Sequence, residues 1–314
     1  MSDSFQRFIF EKLDIRGAFV QLESSWQAMQ HGRAYARPVL ELLGQTTAVT
    51  ALIGSQLKTP GRLTFQLQGE GPVSMLVVDC DRTPHERVAA PAGAKSRHVE
   101  AGHEGGSTQE LLRLRGMAKA APLLTKSGTA DLIGNGRLLL TLQTDDNLKP
   151  YQSFVPLEGN SIAAIFENYL ALSEQQPTRL FLFADGERAC GLFLQKLPET
   201  PGRHEQDEDG WNRVQQLAAT VRADEFSLPA AELVHRLFAE EDVRLFEPHP
   251  VAYHCPRDEE KVKGALLSLG RDEVQAIFEE NGEVRVQDDI CNHEYVFGEE
   301  ILEELFPTQP RRLH

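Results

Sequence analysis

The stretch that decides the fold is residues 63–78, "LTFQLQGEGPVSMLVV". Residues 63–68 alternate between apolar and polar side chains, which predicts a strand with one buried face. Gly69 and Gly71 end this strand, and residues 72–80, "PVSMLVVDC", predict a partner strand for it. The N-terminal half of the chain is therefore expected to have a β-sheet at its core.

Further elements extend this core along the chain. The helical spacing of apolar residues predicts helices at residues 38–58 and 160–175. Strand patterns occur at three more places, which are residues 112–120, 136–144 and 179–197. The last of these contains Asp185-Gly186, a strong hairpin signal.

Residues 82–110 lack periodicity and are rich in Pro, Gly, His and Ala, which predicts an exposed, mobile loop. Cys80 ends one predicted strand and Cys190 opens another. We interpret both cysteines as small, half-buried apolar residues.

Composition limits the classes of function. The chain has 314 residues, 41% of them hydrophobic, and a net charge of −15, which argues against binding to nucleic acid. No apolar run approaches the roughly 20 residues that span a bilayer, so we expect no membrane segment. The N-terminus lacks a signal-peptide pattern and the four cysteines are too few for a disulfide framework, so we expect a cytoplasmic protein.

The composition becomes polar and charged at Pro198, which predicts a domain boundary there. Two amphipathic helices are predicted within residues 199–249. Their apolar faces comprise Trp211, Val214, Leu217 and Val221 in the first helix, and Leu233, Leu237 and Phe238 in the second. Such faces either pack on the sheet or serve as adhesive surface, and both roles are compatible if the packing is marginal.

The last part of the chain, residues 250–314, predicts two helices that end at Gly270 and Gly282, then a β-hairpin and a final short helix. Two stretches within it, "AYHCPRDEEKV" and "VQDDICNHEYVF", hold one cysteine each, Cys255 and Cys291. Each looks like half of a metal-binding pair that lacks its second cysteine.

Several fragments in fixed order carry a resemblance to a known family. They are residues 63–78, "RGMA" (115–118), "SEQQPTRLFL" (173–182), "GLFLQKLP" (191–198), "KVKGALLSLGRDEV" (261–274) and "ENGEVRV" (280–286). Together they resemble the Hsp33 family of redox-regulated holdase chaperones over nearly the whole chain.

The resemblance implies an α+β fold in three parts. Residues 1–198 would form an N-terminal substrate-binding domain, a mixed α/β domain with a β-sheet core. Residues 199–249 would form a helical linker, and residues 250–314 a small α+β switch domain of the zinc type.

In this family the switch domain holds one zinc with four cysteines, arranged as C-x-C and C-x-x-C. The corresponding positions here are Cys255 and Arg257, then Asp288 and Cys291. Two of the four ligands are therefore replaced. In the family mechanism, oxidation removes the thiolate ligands, zinc leaves, the small domain unfolds, and the linker exposes its apolar faces to unfolded clients.

Three states of this site remain open. Our preferred interpretation is that the metal is lost or weakly held, and that the tail folds through its apolar residues. A mixed zinc site could be built from Cys255, Cys291 and Asp288 with His254 or His293, and would bind more weakly than four thiolates. Alternatively, Cys255 and Cys291 could form a redox pair. An Arg257–Asp288 salt bridge could then replace the metal as a link between the two halves of the site.

The predicted function is an ATP-independent holdase that binds unfolding proteins under oxidative and heat stress, with weakened thiol–zinc regulation. The expected partners are unfolded clients, and a second copy of the chain on activation. We expect no enzyme, because the sequence lacks G-x-S-x-G, H-E-x-x-H and P-loop motifs. The alternative is an interaction or regulatory protein that uses the same scaffold for one dedicated partner.

Overall fold

The computed structural model describes residues 3–85, 109–125, 127–144, 146, 149–198, 207 and 209–307. The chain forms two compact units, Met1–His254 and Cys255–His314. The division at residues 198 and 249 stays a prediction, but contacts within the chain place residues 210–254 in the first unit. None of the described helices is long and apolar enough to cross a membrane.

The first unit is built on one large sheet. Its strands are β1 (Ser4–Phe10), β2 (Ile15–Leu22), β3 (Gly61–Gln68), β4 (Val73–His85), β5 (Gln109–Ala120), β6 (Arg137–Thr144), β7 (Tyr151–Val155), β8 (Thr178–Ala184), β9 (Ala189–Lys196), β10 (Val243–Leu245) and β11 (His249–Tyr253). They are ordered β7-β6-β3-β4-β5-β11-β1-β2-β9-β8, and β10 pairs with β1. Neighbours are antiparallel except β5 and β11, which run parallel.

The helices of the first unit fall into two groups. The first comprises α1 (Ser24–Gln30), α2 (Arg37–Gly54), α3 (Thr129–Ile133) and α4 (Ile162–Ser173). The second comprises α5 (Gly210–Ala218), a 3₁₀ helix (Ala223–Ser227) and α6 (Ala230–Leu237), and residues 210–238 are hereafter the linker helices.

Each group of helices covers its own apolar cluster. The first group packs on Leu63, Phe65 and Leu67 of β3 and on further strands, and we call this cluster the α2 core. The linker helices cover a second cluster, the linker core, that includes residues of β1, β2 and β9. In β2 and β9 alternate residues point into the two cores, so these strands are buried on both faces.

The second unit is small and has its own core. It contains α7 (Glu259–Leu269), α8 (Arg271–Asn281), the hairpin β12 (Val284–Asp288) and β13 (His293–Phe297), and α9 (Glu300–Leu305). Gly270 and Gly282 follow the two longer helices with φ angles of 93° and 74°, which L side chains rarely adopt. Val274, Val284 and Ile301 are among the side chains buried between these elements.

The strands and helices named from the sequence are present. The predicted loop at residues 82–110 is wrong at its ends, because β4 runs to His85 and β5 begins at Gln109. Residues 86–108 lie outside the described part of the chain. Five further strands were not predicted: β1, β2, β7, β10 and β11. The last of these takes residues 250–253, which we had expected in the C-terminal domain, into the large sheet.

Candidate functional site

One face of the sheet in the first unit is apolar and lies under the linker helices. Its large, fully covered side chains come from β1, β2 and β9, and they are Phe8, Phe10, Ile15, Phe19, Leu192 and Leu194, each at most 3% exposed. Gly17 lies among them because a Cβ at that position would overlap the Phe8 ring. Exposed to water, this face would be an adhesive patch of aromatic and aliphatic groups.

The linker helices contribute all seven apolar residues predicted from the sequence. Val214, Leu233, Leu237 and Phe238 are buried in the linker core, and Trp211, Leu217 and Val221 are partly buried against it. Their placement matches the prediction that these faces pack on the sheet.

The linker helices also bury three residues that were not predicted, Ala218, Phe226 and Val234, and Phe226 is the largest of them. Phe226 lies in the 3₁₀ helix, stacked 6.2 Å from Phe19 and 5.9 Å from Phe183 between ring centroids. A single aromatic residue in a five-residue helix has no periodicity, so only its apolar side chain within the acidic "ADEFS" stretch could have drawn attention to it.

Hydrogen bonds between the linker helices and the sheet complement the apolar contacts. Gln21 Nε2 donates to the Phe226 carbonyl at 3.0 Å, and Arg179 Nε donates to Gln215 Oε1 at 2.9 Å. The Cys190 thiol donates to the Phe226 carbonyl at 3.7 Å, and burial raises the pKa of this thiol to about 12. The cysteine is therefore protonated and unreactive while covered.

Ion pairs join the linker helices to one another and to flanking residues. Arg213 contacts Glu241 at 2.6 Å and Asp207 at 2.7 Å. The hydrogen bond from Arg213 lowers the pKa of Asp207, and the bond to Glu241 is the main cause of the raised pKa of Arg213. Arg213 and Asp207 are more than a third exposed, so solvent screens their ion pair and it contributes little to stability, whereas the Glu241 side chain is mostly covered.

The carboxylate of Glu225 is more deeply buried than these groups. It accepts a hydrogen bond from the Arg222 backbone at 2.9 Å and forms ion pairs with the Arg222 and Arg236 guanidinium groups. The 3₁₀ helix is thereby tied to α6, so the linker helices are linked by charge as well as by a shared apolar face.

The two tail cysteines come together in the second unit. Cys255 and Cys291 form a disulfide, with 5.7 Å between their Cα atoms. Cys291 lies in the turn after β12, where Asp288 Oδ1 accepts hydrogen bonds from the Ile290 and Cys291 backbone N–H groups. Asp288 therefore shapes the turn.

Arg257 does not pair with Asp288, which corrects one of our alternatives. Its guanidinium lies 5.4 Å from the centroid of the Tyr295 ring and donates to the Glu294 carbonyl at 3.3 Å. The planar cation is satisfied by an aromatic face on β13, so this side chain fastens the N-terminus of the unit to the hairpin.

The donors in the tail do not fit a zinc ion in this arrangement. The two sulfurs are bonded to each other and cannot act as thiolates, and the described residues contain no group of three His, Cys, Asp or Glu side chains that could hold a metal. His293 Nδ1 is buried without a hydrogen-bond partner among them, but one donor is not a site. His254 ends the first unit, where its backbone N–H donates to the Leu114 carbonyl.

An apolar sheet face held under short helices can be offered to other polypeptides, and comparisons with known proteins place the chain among the molecular chaperones. Residues 3–298 match the profile described as Hsp33 protein. The chain belongs to the Hsp33 family.

Its relatives are similar over nearly their full length. The 33 kDa chaperonin of Methylobacillus flagellatus is 37% identical over 98% of this chain and 96% of its own. That of Nitrosococcus oceani is 38% identical over 98% and 95%. The crystal structure of the 33 kDa chaperonin from Thermotoga maritima superposes with a TM-score of 0.74 at 22% identity, covering 96% of this chain and 97% of that one.

These findings confirm the predicted family and the mixed α+β fold, and they support a chaperone rather than an enzyme. As a chaperone the protein binds client proteins. The zinc ligands and the replacement of two cysteines stay predictions.

Proposed function

We propose that this chaperone is an ATP-independent holdase whose client surface is the linker core, exposed when the linker helices detach. The observation that carries the proposal is the burial of Phe8, Phe10 and Phe19 under three short helices. Their apolar area gives adhesion once uncovered, while the net charge of −15 opposes self-association.

The helices that cover this face are short. α5 has 9 residues and α6 has 8, both below the roughly 12 to 15 residues at which an isolated helix becomes marginally stable. Their structure therefore depends on packing against the sheet, and a modest loss of that packing releases several apolar side chains together. Heat or another unfolding stress is the proposed trigger.

The proposed partners are unfolded or partly folded polypeptides in the cytoplasm, and a second copy of the chain on activation. The acidic surface disfavours nucleic acid. We propose that zinc is weakly held or absent, because Arg257 and Asp288 stand at two of the four positions where the family has cysteine ligands.

The test is suppression of aggregation without ATP, using two unrelated denatured enzymes at near-stoichiometric ratios. We expect protection of both clients after warming, with little further gain from peroxide. Leu233→Ser should protect without warming, because Leu233 is fully buried in the linker core. The matched control is Leu172→Ser on α4, where the side chain is 68% exposed and lies away from this core.

Two results would count against the proposal. Protection of one client alone would favour a dedicated interaction protein. Absence of protection for both clients, warmed or oxidised, with Leu233→Ser as inactive as wild type, would remove the proposed client surface.

A further inference from the structure

The Cys255–Cys291 bond closes a loop that contains most of the second unit. The two cysteines are 36 positions apart, and α7, α8 and β12 lie between them. The bond therefore joins the first residue of the unit to its hairpin. The Cα–Cα distance of 5.7 Å lies within the ordinary range for disulfides, so the folded unit accommodates the bond.

A bond of this kind acts mainly on the unfolded chain. Closing a long loop removes conformations from the unfolded state, and a loop of this length raises the folded-to-unfolded ratio by roughly 10²-fold or more. The effect matters here because so short a unit has a limited core. The described residues provide no metal-ligand cluster to act as an alternative staple.

The remaining cysteines cannot compete for this role. Cys80 and Cys190 are free thiols, fully buried in the first unit. Burial raises the pKa of both thiols, which suppresses their thiolate forms. In the tail pair Cys291 is 6% exposed and Cys255 is half-buried, so Cys255 is the most accessible of the four cysteines to an oxidant.

We propose that the tail pair is a latch that oxidation closes: the oxidised second unit is the more stable one, and reduction loosens it. This response is opposite in sign to a switch in which oxidation expels zinc and unfolds the tail. In the closing step one thiolate attacks hydrogen peroxide and becomes a sulfenic acid, releasing water. The second thiol then displaces the sulfenic oxygen, releasing a second water, so that two thiols and one peroxide give one disulfide and two waters.

The effect of the disulfide on the stability of the second unit does not depend on the proposed function. The consequence of that effect for client binding does rest on the proposed function. If tail loosening favours release of the linker helices, the reduced protein should begin to hold clients at a lower temperature than the oxidised protein. Peroxide would then restrain the holdase.

The experiment is hydrogen exchange with mass spectrometry on the full chain, in buffer with a metal chelator, after reduction with a thiol or oxidation with peroxide. We expect peptides of α7, α8 and β12 to exchange at least tenfold more slowly in the oxidised protein, while peptides of α2 stay unchanged. Cys255→Ser and Cys291→Ser should exchange at the reduced rate under both conditions. Cys80→Ala, at a free cysteine of the α2 core, is the matched control and should keep the full response.

Three results would overturn the proposal: equal or faster exchange of the tail after oxidation, failure of peroxide to form the bond, or one equivalent of zinc that protects the reduced tail in protein purified without chelator. A latch that operates in a protein without holdase activity would remove the proposed function and leave the latch. Holdase activity in a protein whose tail exchanges at the same rate before and after oxidation would support the proposed function and remove the latch.

Discussion

The α2 core and the linker core share strands but differ in how they are covered. Strands β2 and β9 send Val20 and Phe193 into the α2 core, and Phe19 and Leu192 into the linker core. On the first side lies α2, a continuous helix of 18 residues, most of them buried. On the second side lie three helices of 9, 5 and 8 residues.

Under the proposed mechanism, this difference gives the sheet a permanent side, under α2, and a releasable side, under the linker helices. A long helix with contacts around most of its circumference leaves only with global unfolding. Short segments joined by turns can detach at a smaller free-energy cost, as local openings do in many proteins. The apolar content of a sheet face therefore does not by itself decide whether the face can become exposed. The continuity of the helices that cover it also matters.

The largest effect is expected from damage to the permanent side. Leu43→Ala empties a fully buried position of α2 and should lower the free energy of unfolding of the first unit by about 2–5 kcal/mol. Urea denaturation followed by circular dichroism measures it. Leu172→Ala, on the exposed side of α4, should change it by less than about 0.5 kcal/mol. A Leu43→Ala loss as small as that of the control would mean that α2 is not the permanent cover.

A methyl group added on the releasable side should act locally. Gly17→Ala places a Cβ against the Phe8 ring, whose centroid is 6.3 Å from that of Phe238 in the linker helices. We expect overpacking of about 1–3 kcal/mol that loosens these helices. Hydrogen exchange should accelerate at residues 210–238 and stay constant in α2. Gly186→Ala, which meets no atom within 4 Å, serves as the control. Equal acceleration in α2 would contradict the separation of the two covers.

The reaction rates of the two buried thiols compare α2 with the linker helices as covers of the sheet, without any mutation. Cys190 lies under the linker helices, and Cys80 lies against Gly54 at the end of α2. Because a thiol reacts only when its cover opens, we expect Cys190 to be alkylated at least tenfold faster than Cys80 in the native protein. Peptide mass spectrometry over a time course gives both rates, and in urea the two should become equal. Faster reaction of Cys80 would reverse the assignment of the permanent side.

The smallest effect concerns pH. The hydrogen bond from Arg213 holds the pKa of Asp207 below its usual 3.8, so the pair contributes stability above about pH 4 and loses it as the pH falls further. Asp207→Asn should slightly increase binding of an apolar dye at pH 5. The difference from wild type should shrink as the pH falls below 3.8 and disappear once the carboxyl is protonated in the folded protein. A difference that does not shrink as the pH falls below 3.8 would show that the carboxylate charge is not the cause.

Several elements were predictable because their periodicity is uninterrupted. α2, the β8–β9 hairpin and the apolar residues of the linker helices follow from spacing alone. β1 and β2 were missed because both of their faces are buried, so Phe5 and Phe8 face different cores and no alternation of polar and apolar residues marks them.

The tail site was less predictable. Its cysteines and their halves of the motif were identified, but their mutual bond depends on a fold that joins positions 36 apart. The stacking of Arg257 on Tyr295 likewise requires the hairpin to be in place. Local sequence patterns predict individual helices and strands, whereas contacts between distant elements depend on how those elements pack together.

Strand β11 has a consequence for biosynthesis. It lies at the middle of the sheet order, parallel to β5 on one side and antiparallel to β1 on the other, and in the described part of the chain no direct pairing joins those two strands. A nascent chain that has not yet emerged from the ribosome past residue 253 would hold two half-sheets, each with an unpaired edge. The protein would thus be exposed, during its own synthesis, to the same aggregation from which it is inferred to shield others.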